Sequence, residues 1–216
     1  MGRAKIKRGS TNIDMTAMCD VAFLLLSFFI LTTKFKPAEA VEVVTPSSVS
    51  SKAAPQSNVF TVTLDKEGRV YIDMSDEMKG DVIQELATAR NLTFSPDDVK
   101  YFKSATFVGA PLNQLKQFIR LDPAAYSNPV NRPGIPVDSA NNELQSWINA
   151  AINANKGQKI NFLIKGDDAA KYIAFRGVIE AFKKNDIYKY QLVTNPEGVP
   201  EGTALWENNM KDNKKD

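Results

Sequence analysis

Met15-Thr16-Ala17-Met18-Cys19-Asp20-Val21-Ala22-Phe23-Leu24-Leu25-Leu26-Ser27-Phe28-Phe29-Ile30-Leu31-Thr32-Thr33 is the only stretch of this 216-residue chain that could cross a bilayer. As a helix it would be about 28 Å long at 1.5 Å per residue, close to the thickness of the hydrocarbon layer. It carries one acid, Asp20, roughly 7 to 8 Å in from Met15 and too deep for a short side chain to reach the interface easily. An ionised Asp at membrane depth costs on the order of 2.5 to 3.5 kcal/mol on insertion scales, so it must meet a polar partner, sit on a proton path or stay protonated. Asp20 is therefore the candidate proton-carrying residue. At about 100° per residue, Thr16 falls within about 40° of Asp20 and Ser27 within about 20°, a supporting polar face on an otherwise Leu/Phe/Ile helix. The span has no second acid or base and the chain has no His. One copy cannot complete a proton relay, and another subunit must supply the rest. The plainer alternative begins the helix at Val21 with Asp20 as its N-cap among the headgroups. The apolar run Val21 to Thr33 would then be only about 20 Å long, short for a span.

Arg3, Lys5, Lys7 and Arg8 precede the span, whereas Lys34 and Lys36 on the other flank are followed by Glu39 and Glu42. That basic excess puts the N-terminus (1–14) in the cytoplasm and exports the C-terminal part, as a single-pass membrane protein. A signal peptide is the rival reading, since Ala38-Glu39-Ala40 is an A-x-A-like site. Against it stand the acid at the start of the apolar run, the two lysines after it, and a run long enough to span. A lipoprotein reading of Cys19 fails because the apolar run follows that residue. Cys19 is the only cysteine, so the exported part has no disulfide and is held by its core. With 27 basic and 25 acidic residues the formal net charge is +2, which gives no argument for nucleic acid.

Residues 34–58 read as a Ser/Pro-rich periplasmic linker, with Ser47, Ser48, Ser50, Ser51, Pro46 and Pro55 and no apolar periodicity, a tether that lets the outer domain move. From 59 to 207 the pattern is that of a small α+β domain with a mixed sheet, ββα…αβαβ. Phe60, Val62 and Leu64 alternate with threonines, and Asp65 to Gly68 turns the chain into Val70, Ile72 and Met74, a β-hairpin. Helices are expected over Asp76 to Arg90, from Ser95-Pro96-Asp97-Asp98, and along Leu112, Leu115, Phe118 and Ile119. Four prolines make Pro123 to Pro136 an irregular loop. Asp138-Ser139 should open a helix with Leu144, Trp147, Ile148, Ala151 and Ile152 on its apolar face. A strand Ile160 to Ile164, a helix led by Asp167-Asp168 and carrying Tyr172, Phe175, Ile179 and Phe182, and a strand Gln191 to Thr194 complete the domain. The tail 208–216 is charged and loose.

Catalytic chemistry is not evident. Without His, and with its cysteine in the span, the chain has no Ser/His/Asp or Cys/His arrangement, and it shows no P-loop, dinucleotide fingerprint or metal spacing. No enzyme activity, cofactor or metal is expected. Asp167-Asp168 read as helix-dipole partners and caps rather than as a metal pair, and Trp147 with the Tyr/Phe set reads as core.

Ile13-Asp14-Met15-Thr16-Ala17-Met18-Cys19-Asp20-Val21 resembles the ExbD/TolR family of proton-driven inner-membrane energisers, whose pattern around the membrane acid is roughly I-N-x-T-P-x-x-D-V. Ile13, Thr16, Asp20 and Val21 match; Asp14 replaces the usual Asn and Ala17 the usual Pro. The segment Lys159 to Thr194, with Gly166-Asp167-Asp168 before a helix and Tyr190-Gln191-Leu192-Val193-Thr194 at its end, resembles the family's periplasmic domain, while 76–156 is longer than usual. The resemblance implies two copies of this chain inside a ring of ExbB/TolQ-like or MotA-like partners, with lipid around the assembly and Asp20 alternating between protonated and ionised states. It further implies transfer of force to a TonB-like protein in the periplasm. A TolR-like role in envelope maintenance and a MotB-like stator anchored to peptidoglycan are the alternatives within this resemblance. An exported binding module with a cleaved leader is the alternative outside it.

Overall fold

The computed structural model describes residues 15–32, 41–49, 53–55, 57–122, 125–126, 128–203 and 206. The flanking basic residues of the span, Ile13, Asp14 and the charged tail 208–216 lie outside these. The chain forms two compact units, 1–38 and 39–216. The first contains helix α1, Met15–Thr32.

The second unit is built on a four-stranded mixed sheet. Its centre is β2 (Val59–Leu64), paired antiparallel with β3 (Val70–Met74) and parallel with β4 (Asn161–Gly166); β5 (Gln191–Leu192) lies parallel to β4 at the far edge. The hairpin closes where expected. Gly68 at φ 88° donates its N–H to the Asp65 carbonyl, and the Asp65 carboxylate accepts from the Arg69 N–H and Nε, both at 2.8 Å. The register sets Phe60 beside Phe162, and those rings, with Phe182, form a chain of aromatic contacts with centroids 5.8 and 5.5 Å apart.

Helices α2 (Asp76–Arg90), α5 (Leu144–Ala154) and α6 (Tyr172–Lys184) contribute Val82, Ile83 and Leu86, then Leu144, Trp147 and Ile148, then Val178, Ala181 and Phe182, to one buried core with Phe60, Val62 and Leu64. Trp147 is wholly buried and stacks on Phe102 of α3 (Pro96–Ser104). The signature read at Ser95 is a complete capping box: Ser95 Oγ accepts from the Asp98 N–H and Asp98 Oδ2 from the Ser95 N–H.

The long segment after α3 covers the outer side of β3. Tyr71, which strict alternation would place facing solvent, is buried against Phe107, and Phe107 continues into Phe118 and Tyr126. The Tyr71 hydroxyl donates to Asp65 Oδ2 at 3.1 Å, and burial beside that carboxylate pushes its pKa well above the ordinary tyrosine value.

Four expectations are corrected. The helix read from Leu112 onward is only α4 (Leu115–Ile119), because residues 111–114 form a turn behind Pro111 in which the Gln114 N–H reaches the Pro111 carbonyl. The helix read from Asp138 begins at Leu144: a bridge between Val137 and Asn142 folds the intervening residues into a turn. Asp167-Asp168 do not cap α6, which starts at Tyr172 with Lys171 as N-cap, and Tyr172 itself is exposed. Finally, part of the expected linker is docked. Residues 41–49 lie against the rest of the second unit, with Val41 and Thr45 buried and β1 (Ser47–Ser48) paired parallel with β6 (Asn195–Pro196). Asp167 is what fastens this strap: its Oδ2 accepts from the Val44 N–H at 3.0 Å, while the Asp168 N–H reaches the Val44 carbonyl at 2.8 Å.

Candidate functional site

Helix α1 needs no unusual local chemistry. Its interior from Ala17 to Leu31 lacks Pro and Gly, and Leu, Met, Ala and Phe carry it. At 18 residues it is long and apolar enough to cross a membrane. None of its side chains is buried within the unit, and Leu24, Leu25, Phe28, Phe29 and Ile30 are each more than half exposed. A helix with that much unpartnered apolar surface is stable only in lipid or against other helices.

Because the helix starts at Met15, Asp20 occupies its second turn, and the alternative with Asp20 as an N-cap before Val21 is not what forms. Asp20 is exposed, and among the described residues its carboxylate has no hydrogen-bond or ion-pair partner. Thr16 lies one turn before it on the same side. Ser27 shares that face but stands two turns on, roughly 10 Å along the axis, and its hydroxyl donates to the Leu24 carbonyl at 3.0 Å. Ser27 therefore cannot hydrogen-bond Asp20 of its own helix; it adds polarity to the face two turns deeper. The arrangement is one titratable oxygen pair on an apolar helix, with Thr16 the only polar side chain of the face near enough to touch it.

Elsewhere, Asp167 and Asp168 serve the strap, and among the described residues no group of three acids or cysteines is placed to hold a metal ion. The strap borders a cleft of about 280 Å³ lined by Pro46, Leu64, Ile164, Phe175 and Leu192, which periodicity could not reveal because it joins segments far apart in sequence.

Three comparisons bear on this geometry. A family model described as biopolymer transport protein ExbD/TolR matches residues 7–197, taking in both α1 and the mixed-sheet domain. A biopolymer transport protein named exbD2, from Vibrio cholerae serotype O1, is 32% identical over 98 residues, which cover 45% of this chain and 70% of that protein. No solved structure matches the chain. With an apolar N-terminal helix bearing Asp20, an α+β domain on a mixed sheet, and a family match running through both, this chain belongs to the ExbD/TolR family of biopolymer transport proteins.

Proposed function

We propose that this chain is an ExbD-like subunit of an inner-membrane motor driven by the proton motive force, with Asp20 as its proton carrier. One observation supports the reading above others: the single acid of α1 has no partner among the described residues, on a helix whose apolar side chains are otherwise exposed. Two copies sit within a ring of ExbB/TolQ-like subunits, the N-terminus in the cytoplasm and the α+β domain in the periplasm. Protonation removes the cost of holding a charge in low dielectric, so the helix face preferred by the ring changes with each proton. One charge crossing 100 mV releases about 2.3 kcal/mol, comparable with the insertion penalty of one ionised Asp, so a proton can drive the switch. The outer domain passes the resulting movement to a TonB-like protein that energises outer-membrane transport.

Asp20→Asn tests this directly, since it keeps the size of the side chain and removes its proton. Transport is expected to stop while the protein stays in the membrane at its normal level. Normal transport by the Asn variant would remove Asp20 from the proton path.

A further inference from the structure

The groove between α3 and α4 carries two cations, Lys116 and Arg120, against a single buried acid. It has a volume of about 910 Å³ and is open to solvent, with Phe94, Asp98, Lys116, Gln117, Arg120 and Leu121 in its lining. Asp98 is the only acid among the lining residues, and the fold consumes it: it is buried, Oδ1 pairs with Arg120 Nε at 2.8 Å and Nη2 at 2.6 Å, and Oδ2 accepts from the Ser95 N–H. Arg120 remains more than half exposed after making that pair. Four residues earlier, on the same side of this short helix, Lys116 extends its ammonium over the Phe94 ring, 5.8 Å from the centroid, and among the described residues it has no ion-pair partner. Like charges at this spacing repel by a few tenths of a kcal/mol, and an anion lying between them would turn repulsion into attraction. The half-buried Phe94 and Leu121 add an apolar floor beside the cations. So large and open a trough suits an extended chain rather than an enclosed small molecule.

We infer that this groove docks an acidic peptide segment of a partner protein, with a carboxylate between Lys116 and Arg120 and an apolar side chain on Phe94. The inference is independent of proton transfer at Asp20. It assigns a binding role to the segment that makes this chain longer in the middle than the sequence pattern requires.

The test uses the full chain in detergent micelles and a short fluorescein-labelled peptide of alternating Glu and Ala with a central Phe. Fluorescence anisotropy at low ionic strength is expected to show saturable binding that weakens about tenfold or more when the Glu residues are replaced by Gln. Lys116→Glu and Gln117→Glu, both at exposed positions that leave the core intact, are expected to weaken it to a similar degree. Equal binding of the Gln peptide, or binding unchanged in Lys116→Glu and Gln117→Glu, would overturn the proposal. So would an oligogalacturonate that binds the groove while the peptide does not, since the site would then read a saccharide.

Discussion

Asp98 shows how a single carboxylate can be structural and still set the chemistry of a surface. Hydrogen bonds from the Ser95 N–H, opposed by burial and reinforced by the Arg120 guanidinium, hold its pKa below the ordinary 3.8. A folded-state pKa below the unfolded one contributes stability that is present in full above the ordinary carboxylate range and is lost as pH falls through it toward the folded value. The melting temperature of the wild type is therefore expected to fall more steeply below about pH 4 than that of Asp98→Asn, which has already lost the charged interaction; parallel pH profiles would contradict this. Within α1, Thr16→Ala is expected to lower transport more than Ser27→Ala, and both less than Asp20→Asn, because only Thr16 is one turn from the acid. Asp20 stands out in the sequence because it is the one acid in the apolar run, and the helix that forms from Met15 places it in the second turn instead of at an N-cap. Lys116 and Arg120 were not legible: on paper they are two ordinary surface cations, and only the folded chain shows that Asp98 is already spent on one of them.

At the scale of elements, the hairpin, α2 and the start of α3 could be read because their signals are local: alternation, a turn at Gly68, a cap at Ser95. The start of α5 and the strap could not, because a bridge from Val137 to Asn142 and a carboxylate 123 residues from the N–H that donates to it override the local pattern. Asp167→Ala is expected to raise the amide hydrogen-exchange rate at Val44 about tenfold, by removing an acceptor worth roughly 1 kcal/mol or slightly more; unchanged protection would mean that β1 and Val41 hold the strap without it. Helix α6 offers a sharper case. A Cβ at Gly177 would lie 2.2 Å from the Val137 carbonyl oxygen, a backbone atom, and the Gly177 carbonyl also accepts from Asn142 Nδ2 at 2.8 Å. Gly177→Ala is expected to cost about 1 to 3 kcal/mol by denaturant unfolding of the mixed-sheet domain, despite the better helix propensity of Ala.

For the whole molecule, the mixed α+β class followed from the order of patterns along the chain, whereas the work of the long middle segment had no signature. If the proposed assembly is right, the chain expressed alone is expected to be degraded in membranes and to persist when its ring partner is co-expressed, purifying with it as one detergent-stable complex. Abundance without a partner, and no co-purification from native membranes, would count against that assembly. The middle segment also decides where this sheet could ever grow. Ile72 exchanges both of its outward hydrogen bonds with Val108 at 2.8 Å, the Val70 carbonyl accepts from the Ile135 N–H, and the Met74 N–H is taken by the Asp73 side chain. The β3 margin is thus occupied at Val70 and Ile72 by loops of the same chain and at Met74 by its own neighbour Asp73, as a selvedge stops cloth from fraying. Strand addition from another polypeptide, whether for assembly or in aggregation, is left to the opposite margin, where β5 offers only two residues.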